Sequence, residues 1–383
     1  MSLSTRHRAR RGRGVTAVLT CVLVASAAVG GCRPAPPGAG SAAASSSGTQ
    51  PRSSTAMLHS TPTDAFVDAG GRRLRLVGLN VAPLRQELPG GTWGADTYQQ
   101  IRRMGFNVVR FVLYWDDFEP GPRAWNQHSL TTLDEAIGRA GAAGLRVVLD
   151  EIHLSGAGGL DHVPRWARTG DSVTTVERNG AGYLRMLAGR YRADPVVAAY
   201  DPVNEFQRLP LDPNGVLRAY DHLIREIRGV DPERIILVEP SYGDTSVAAG
   251  GADFSNLTDR RNLVWSFHDY FAGGHDVGYA ADGRQVGTYV WDGEAGYPAP
   301  DPGALERHLL VQLEAARAAG LPTWIGEFGI GASARNHGRW IDDQVRLFDR
   351  YGLGRAWWRY DGDGPFSATT GDGSWKPWVR QLV

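Results

Sequence analysis

Eight short, nearly continuous apolar runs, set apart by longer stretches, constrain this chain more than any other feature. They are Leu74–Asn80, Asn107–Leu113, Leu145–Glu151, Val196–Asn204, Arg234–Glu239, Leu263–His268, Pro322–Glu327 and Gly354–Tyr360. Most lack the polar alternation of a strand with one wet face, so they read as parallel strands buried on both sides. Helical patterns fill most of the gaps, over Thr97–Met104, Leu130–Ala143, Val216–Arg228, Pro302–Ala319 and Arg339–Tyr351. Gly105, Gly144, Gly320 and Gly352 stand as stops before the next strand. Ser241–Arg261 shows no helical pattern, so one unit of the repeat is degenerate. Ahead of the first unit, Ala65–Gly71 and Arg72–Leu76 read as a hairpin turning at Gly70-Gly71.

Eight β/α units in one stretch, residues 64–383, predict an α/β fold, a single (β/α)8 TIM barrel. The competing arrangement is a doubly wound open sheet. It lacks the glycine-rich phosphate loop expected after the first strand. With 42% hydrophobic and 21% charged residues, the chain is neither disordered throughout nor a multi-span membrane protein. The formal charges cancel at 41 basic and 41 acidic residues. Setting aside residues 1–31, with their five arginines, leaves 36 basic against 41 acidic. That acidic balance argues against a nucleic-acid partner.

The N-terminus reads as an export signal. Residues 1–14 are basic, Val15–Gly31 carry no charge, and Val29-Gly30-Gly31 leads into Cys32. The pattern resembles the bacterial lipoprotein signal, which implies a lipidated Cys32 and a protein tethered on the extracellular face of the membrane. An ordinary secretory signal with a chance cysteine is the alternative. Arg10-Arg11 leaves open whether export is by the general or the twin-arginine route. Residues 32–63, rich in Pro, Ser, Ala, Gly and Thr, are expected to form a disordered linker. With Cys21 inside the signal, no disulfide is available to the exported chain, and core packing must hold it together.

A barrel of this kind builds its site at the C-terminal ends of the strands. Polar residues collect there: Arg110 on the second strand, Asp150-Glu151-Ile152-His153 after the third, Asn204-Glu205 after the fourth. His268-Asp269-Tyr270 follows the sixth strand, Glu327 ends the seventh and Trp357-Trp358 lies on the eighth. Glu205 and Glu327, at the mouths of the fourth and seventh strands, are the outstanding pair. Two facing carboxyl groups in different environments are what glycosidic bond cleavage needs, one protonated to release the leaving oxygen and one ionised to attack the anomeric carbon.

Six segments, in order, carry a resemblance to glycoside hydrolase family 5, the cellulase-like retaining glycosidases. They are Val77–Asn80, Gly105–Phe111, Asp201–Glu205, Phe267–Tyr270, Ile325–Gly329 and Gly354–Tyr360. The resemblance implies a β-glycosidase working by double displacement, with Glu327 as nucleophile and Glu205 as general acid/base. It further implies that Asn204 binds the sugar 2-hydroxyl and Arg110 keeps Glu327 ionised. Tyr270 would hydrogen-bond the nucleophile, with His268 and His153 lining the cleft and Trp358 forming the floor under the sugar. Two positions depart from the family pattern: Phe206 stands where proline is usual, and either Glu151 or Asp150 fills the acidic place before His153.

The implied substrate is a β-linked glucan, mannan or related glycoside, acted on by a monomer without metal or cofactor. A glycolipid substrate, as in the endoglycoceramidase-like branch, and a non-catalytic carbohydrate-binding barrel remain the alternatives. A metal held by the histidines and glutamates lacks support, since no His-x-His follows the first strand. Glu239, a third glutamate at the barrel mouth, reads as a structural group. Trp357 and Trp358 are adjacent and so face opposite ways, Trp358 toward the cleft. Trp93, Trp115, Trp166, Tyr289, Trp291 and Trp375 either stack on sugar rings or pack their own loops. The insertion Phe271–Pro300 is expected to form one cleft wall.

Overall fold

A computed structural model describes residues 56–82, 95–155, 159–206, 212–239, 252–279, 285–289, 296–297, 299–360 and 364–383. The expected signal at residues 1–31, Cys32, most of the expected linker, Trp93, Trp291 and the Tyr289 side chain lie outside what is described. The elements in chain order are β1 (Val77–Val81), α1 (Ala95–Met104), β2 (Val108–Val112), α2 (Trp115–Phe118), α3 (Gln127–Ala142) and β3 (Arg146–Asp150). Then come α4 (Ser172–Asn179), α5 (Ala181–Tyr191), β4 (Val197–Asp201), α6 (Pro213–Arg228), β5 (Ile235–Val238) and β6 (Leu263–Asp269). The chain continues through β7 (Phe271–Tyr279), β8 (Gln285–Tyr289), α7 (Pro302–Ala319), β9 (Thr323–Phe328), α8 (His337–Arg350) and β10 (Gly354–Trp357).

Eight of the strands close a barrel in the order β1-β2-β3-β4-β5-β6-β9-β10, with every neighbouring pair parallel. All eight expected strands are therefore present, in the expected order. The two remaining strands, β7 and β8, pair antiparallel with each other inside the insertion after β6. Val108, Val148, Ala199, Leu237, Val264, Trp324 and Ala356 fill the barrel interior, while their strand neighbours Val109, Leu149, Tyr200, Val238, Trp265, Ile325 and Trp357 pack against the helices. That two-sided burial is why the strands read as unbroken apolar runs.

Helix starts follow local chemistry. Asn126, Asp171, Asp212 and Asp301 cap α3, α4, α6 and α7, each side chain accepting from a main-chain N–H of the first turn. Pro213 and Pro302 take the first helical positions, and Gly320 ends α7 in the left-handed conformation. Between β5 and β6 the described residues hold only a short 3₁₀ turn, Phe254–Asn256. In contrast, α4 and α5 had no counterpart in the sequence reading.

The expected hairpin forms, with Asp68 N–H donating to Arg72 O and Leu74 N–H to Phe66 O around Gly71 at φ 78°. One boundary moves. The linker expected to run to residue 63 is already packed by Leu58, which is 5% exposed and joins the barrel-interior cluster with Phe66. His59 bridges Val67, and Ser60 N–H donates to Asn262 Oδ1. Apolar contact explains the change: Leu58 is buried where the neighbouring Pro, Ser and Thr offer little to bury.

Candidate active site

Strand register sets the site. Asn80 on β1 pairs with Arg110 on β2, Asp150 on β3 with Asp201 on β4, and His268 on β6 with Glu327 on β9. A slip in the last pairing decides the outcome: from Phe267 to His268 β6 advances one residue, while β9 advances from Ile325 to Glu327. Gly326 is the extra residue. Without that bulge, Glu327 would share the outward face of Ile325. Glycine leaves room for this approach: a Cβ there would lie 2.8 Å from Ser266 Oγ and 3.1 Å from His268 Nε2, so one of those side chains would have to shift.

Arg110, fully buried, is the hub. Its Nε donates to Asp201 Oδ2 at 2.9 Å, and Nη1 to Asn80 Oδ1 and Glu327 Oε1 at 2.9 Å each. Nη2 donates to Asn204 Oδ1 and Glu239 Oε1 at 3.0 Å each, and Asp150 Oδ2 lies 3.2 Å from Nη1. Burial works against the cation, but four surrounding carboxyl groups outweigh it and hold the guanidinium charged.

Glu327 accepts from Tyr270 Oη at 2.7 Å on its other oxygen, Oε2. Burial pushes this carboxyl above the ordinary glutamate range, although His268 and Arg110 pull it down. Arg110, expected to keep Glu327 ionised, reaches it at 2.9 Å and also meets Asp150, Asp201 and Glu239, so its charge is divided among four carboxyl groups.

Glu205 sits just past β4 with φ 47°, in the left-handed region. For a residue with a side chain this costs about 1–3 kcal/mol and persists only where neighbours hold it. Its side chain, 18% exposed, brings Oε1 to 2.7 Å from His268 Nδ1. His268 Nε2 lies 3.1 Å from Glu239 Oε1. Burial alone would discharge the imidazole; Glu239, Glu327 and the bond to Glu205 reverse this and raise it well above the ordinary range. A carboxyl oxygen of Glu205, one of Glu327 and a nitrogen of His268 lie within 4.8 Å of one another. Three such atoms could in principle surround a cation. Both ring nitrogens of His268 are already engaged by carboxyl oxygens, Nδ1 by Glu205 and Nε2 by Glu239.

Of the remaining expected residues, Asn204 joins the cluster, its Nδ2 donating to Leu154 O at 3.3 Å. His153 Nδ1 lies 2.6 Å from Asp150 Oδ2, and its ring stacks on Trp358 at 5.2 Å and 7°. Asp150 is thus the acidic partner of His153. Glu151 points the other way, fully buried, and neither of its oxygens has a hydrogen-bond partner among the described residues. Burial lifts its carboxyl well above the usual range. Trp358 is partly exposed, whereas Trp357 is buried on Phe328 and Trp378, as the alternation required. Phe206, in place of proline, is buried edge-on against Tyr220 of α6 at 5.4 Å.

Several groups at the site have no role assigned from the sequence: Asn80, Asp201, Tyr114 and His162. Asn80 was legible within its own motif, and Asp201 stood at a strand end. Tyr114 lies against His162 at 4.0 Å with the rings tilted by 46°, and meets His153 edge-on at 5.7 Å, a meeting of loops without a sequence signal. Conversely, Trp115 is buried on Tyr183 with its Nε1 donating to Glu119. Trp166 leans on Trp115, and Trp375 packs on Phe106 and Tyr360. These three are occupied in packing their surroundings.

Comparison with known proteins agrees with this architecture. The family model "Cellulase (glycosyl hydrolase family 5)" matches residues 67–364. An endoglucanase of Paenibacillus polymyxa is 24% identical over 363 residues, covering 84% of each chain. A probable glucan 1,3-beta-glucosidase A of Aspergillus fumigatus is 32% identical over 189 residues, which is 46% of this chain and 42% of that one. Among solved structures, an endogalactoceramidase superposes with a TM-score of 0.63 at 20% identity, over 80% of this chain and 75% of its own.

Proposed function

The chain belongs to glycosyl hydrolase family 5 and hydrolyses O-glycosyl bonds of β-glycosides, and we propose that its substrate is a β-glucan cleaved with retention of configuration. The single observation that carries retention is the closeness of Glu205 and Glu327, with carboxyl oxygens within 4.8 Å. Retaining sites hold their two carboxyl groups about 5–5.5 Å apart, whereas an inverting site needs about 6.5–9.5 Å to admit water. The glucan assignment draws on the endoglucanase and glucan glucosidase among the relatives.

In this reading Glu327 attacks the anomeric carbon while Glu205 gives its proton to the leaving oxygen. Forming the glycosyl ester removes a buried negative charge that desolvation disfavours, which lowers the barrier to attack. Tyr270 Oη and Arg110 Nη1 hold the two oxygens of Glu327 apart and aim them. Glu205 then takes a proton from the water that opens the ester, returning to its acid form. Trp358 offers a flat apolar face to the sugar, with His153 stacked beside it. Asn204, held by Arg110, presents its amide to the 2-hydroxyl.

Azide separates the two roles. Glu205→Ala should still form the intermediate from an activated aryl β-glycoside, then stall, and azide should rescue it as the β-glycosyl azide. Glu327→Gly should lose on the order of 10⁴-fold in turnover and give the α-glycosyl azide instead. The same anomer from both variants would refute the assignment. A panel of β-glucans, β-mannans and glycolipids decides the substrate, and turnover confined to glycolipid would overturn the glucan reading. Export and anchoring through Cys32 are proposed on the sequence pattern. Cys32→Ala should move the protein from the membrane fraction to the medium with unchanged specific activity, and unchanged fractionation would defeat the anchor.

A further inference from the structure

We infer that Glu239 is the positioning residue of this site, a carboxylate that never meets the sugar but fixes the Glu205 main chain, the His268 ring and the Arg110 fork against one another. The inference rests on the roles proposed above for Glu205 and Glu327. Glu239 follows β5, on the barrel wall between the strands that carry the two glutamates, and is 2% exposed. Its Oε2 accepts from the Glu205 main-chain N–H at 2.7 Å. Its Oε1 accepts from Arg110 Nη2 at 3.0 Å and from His268 Nε2 at 3.1 Å.

These contacts form a closed ring. Glu239 holds the Glu205 backbone in its left-handed turn at φ 47°, and through His268 it also holds the other end of the same residue, where Nδ1 meets Glu205 Oε1 at 2.7 Å. A second arm leaves through Arg110, whose Nη1 reaches Glu327 Oε1 at 2.9 Å. One carboxylate therefore fixes how the acid/base stands relative to the nucleophile. Among the described residues no other group touches the Glu205 backbone, His268 and Arg110 together. Burial would favour the neutral form, but His268 and Arg110 pull the Glu239 carboxyl down to about 2, so it stays a pure acceptor.

The donor count makes the role testable. Glu239 receives three N–H groups and gives none. Glutamine fills the same volume but has one acceptor oxygen and one NH₂ group. Whichever way it turns, the NH₂ faces either the Glu205 N–H or the Arg110 and His268 donors. Glu239→Gln should therefore fold, yet loosen the acid/base.

Turnover of dinitrophenyl β-cellobioside, whose leaving group barely needs an acid, is compared with that of phenyl β-cellobioside, which does. Native protein, Glu205→Ala and Glu239→Gln are assayed, and melting temperatures are recorded. In Glu239→Gln, kcat/KM, which reports the first, leaving-group-dependent step, should fall on the order of 10²-fold on the phenyl substrate and much less on the dinitrophenyl substrate. The ratio of the two rates should move toward that of Glu205→Ala. A merely space-filling Glu239 would lower the melting temperature but leave both the rates per folded site and their ratio native. That result overturns the inference. Should Glu239→Gln fail to fold, Glu239→Asp keeps the charge but is one methylene too short to reach all three donors. It should show the same split, and native behaviour from it overturns the inference equally. If Glu205→Ala shows no leaving-group dependence, the acid/base reading falls and this inference with it. If that control behaves and the Glu239 variants do not, Glu239 alone is misassigned.

Discussion

At the residue scale, the site is a problem in burying charge, and Asp269 shows one consequence outside the chemistry. It ends β6 beside Tyr270, fully buried, with Oδ1 accepting from Phe271 N–H at 3.2 Å and Gln344 Nε2 at 3.0 Å. Burial pushes its carboxyl up to about 7, and the nearby His308, itself pushed down to about 4 by burial, gives no charge to offset this. The unfolded chain releases the same proton near pH ~3.9. Between those values the folded state binds more protons, so this contribution is fully present below pH ~4 and is lost as pH rises through about 7. Asp269→Asn keeps the acceptor and removes the titration. Its melting temperature should exceed the parent's above pH 7, with the gap closing toward pH 4. A gap constant with pH would show that Asp269 does not titrate in this window. Residue-scale reading of the sequence reached Glu205 and Glu327 because each sits at a strand end, and Arg110 because the second strand carries it. It could not choose between Asp150 and Glu151, since the choice depends on which of two neighbours points into the barrel.

Among the elements, β9 is the one whose irregularity makes the site. Its bulge at Gly326 turns Glu327 inward, and the glycine leaves room for His268. Gly326→Ala should therefore displace His268 or Ser266 by some tenths of an ångström and reduce turnover roughly 10²-fold, with a smaller effect on melting. Native turnover in that variant would mean the close approach is not used. A run such as Thr323–Phe328 announces a buried strand by composition. A bulge inside it leaves no periodicity to read, because a single extra residue matters only against a partner strand. Helices α4 and α5 were missed for a different reason. Gly180, Gly182, Gly189 and the β-branched Val173, Thr174, Thr175 and Val176 depress local helix propensity. Tertiary burial of Val173, Val176, Tyr183, Leu184 and Leu187 overrides it.

On the scale of the whole molecule, the barrel is closed at its N-terminal end by chain that precedes the first β/α unit. Leu58 and Phe66 cap the interior cluster, and Phe66 meets Trp324 edge-on at 6.0 Å. A protein beginning at Asp64 loses Leu58, the His59 bridge and the Ser60 bond, while one beginning at Ala56 keeps them. The shorter form should melt roughly 5 °C lower, as expected for losing one buried leucine, the two main-chain hydrogen bonds of the His59 bridge and the Ser60 bond. Equal melting temperatures would show that residues 56–63 add nothing to the barrel. Activity should survive in both, since the catalytic glutamates proposed here lie at the opposite end of the strands.

Sequence by itself determined the repeat, and through it the barrel, because two-sided burial writes itself into every strand as an apolar run. It also determined which residue types stand at the strand ends, since those positions are fixed once the strands are. What only the tertiary structure decided is orientation and sharing. The Gly326 bulge that rotates Glu327, the inward choice of Asp150 over Glu151 and the left-handed turn at Glu205 are all set by partner strands. So is the division of Arg110 among four carboxyl groups and the place of Glu239 among three donors. A register shift and a shared proton donor are relations between segments far apart in the chain, and no pattern within one segment carries them.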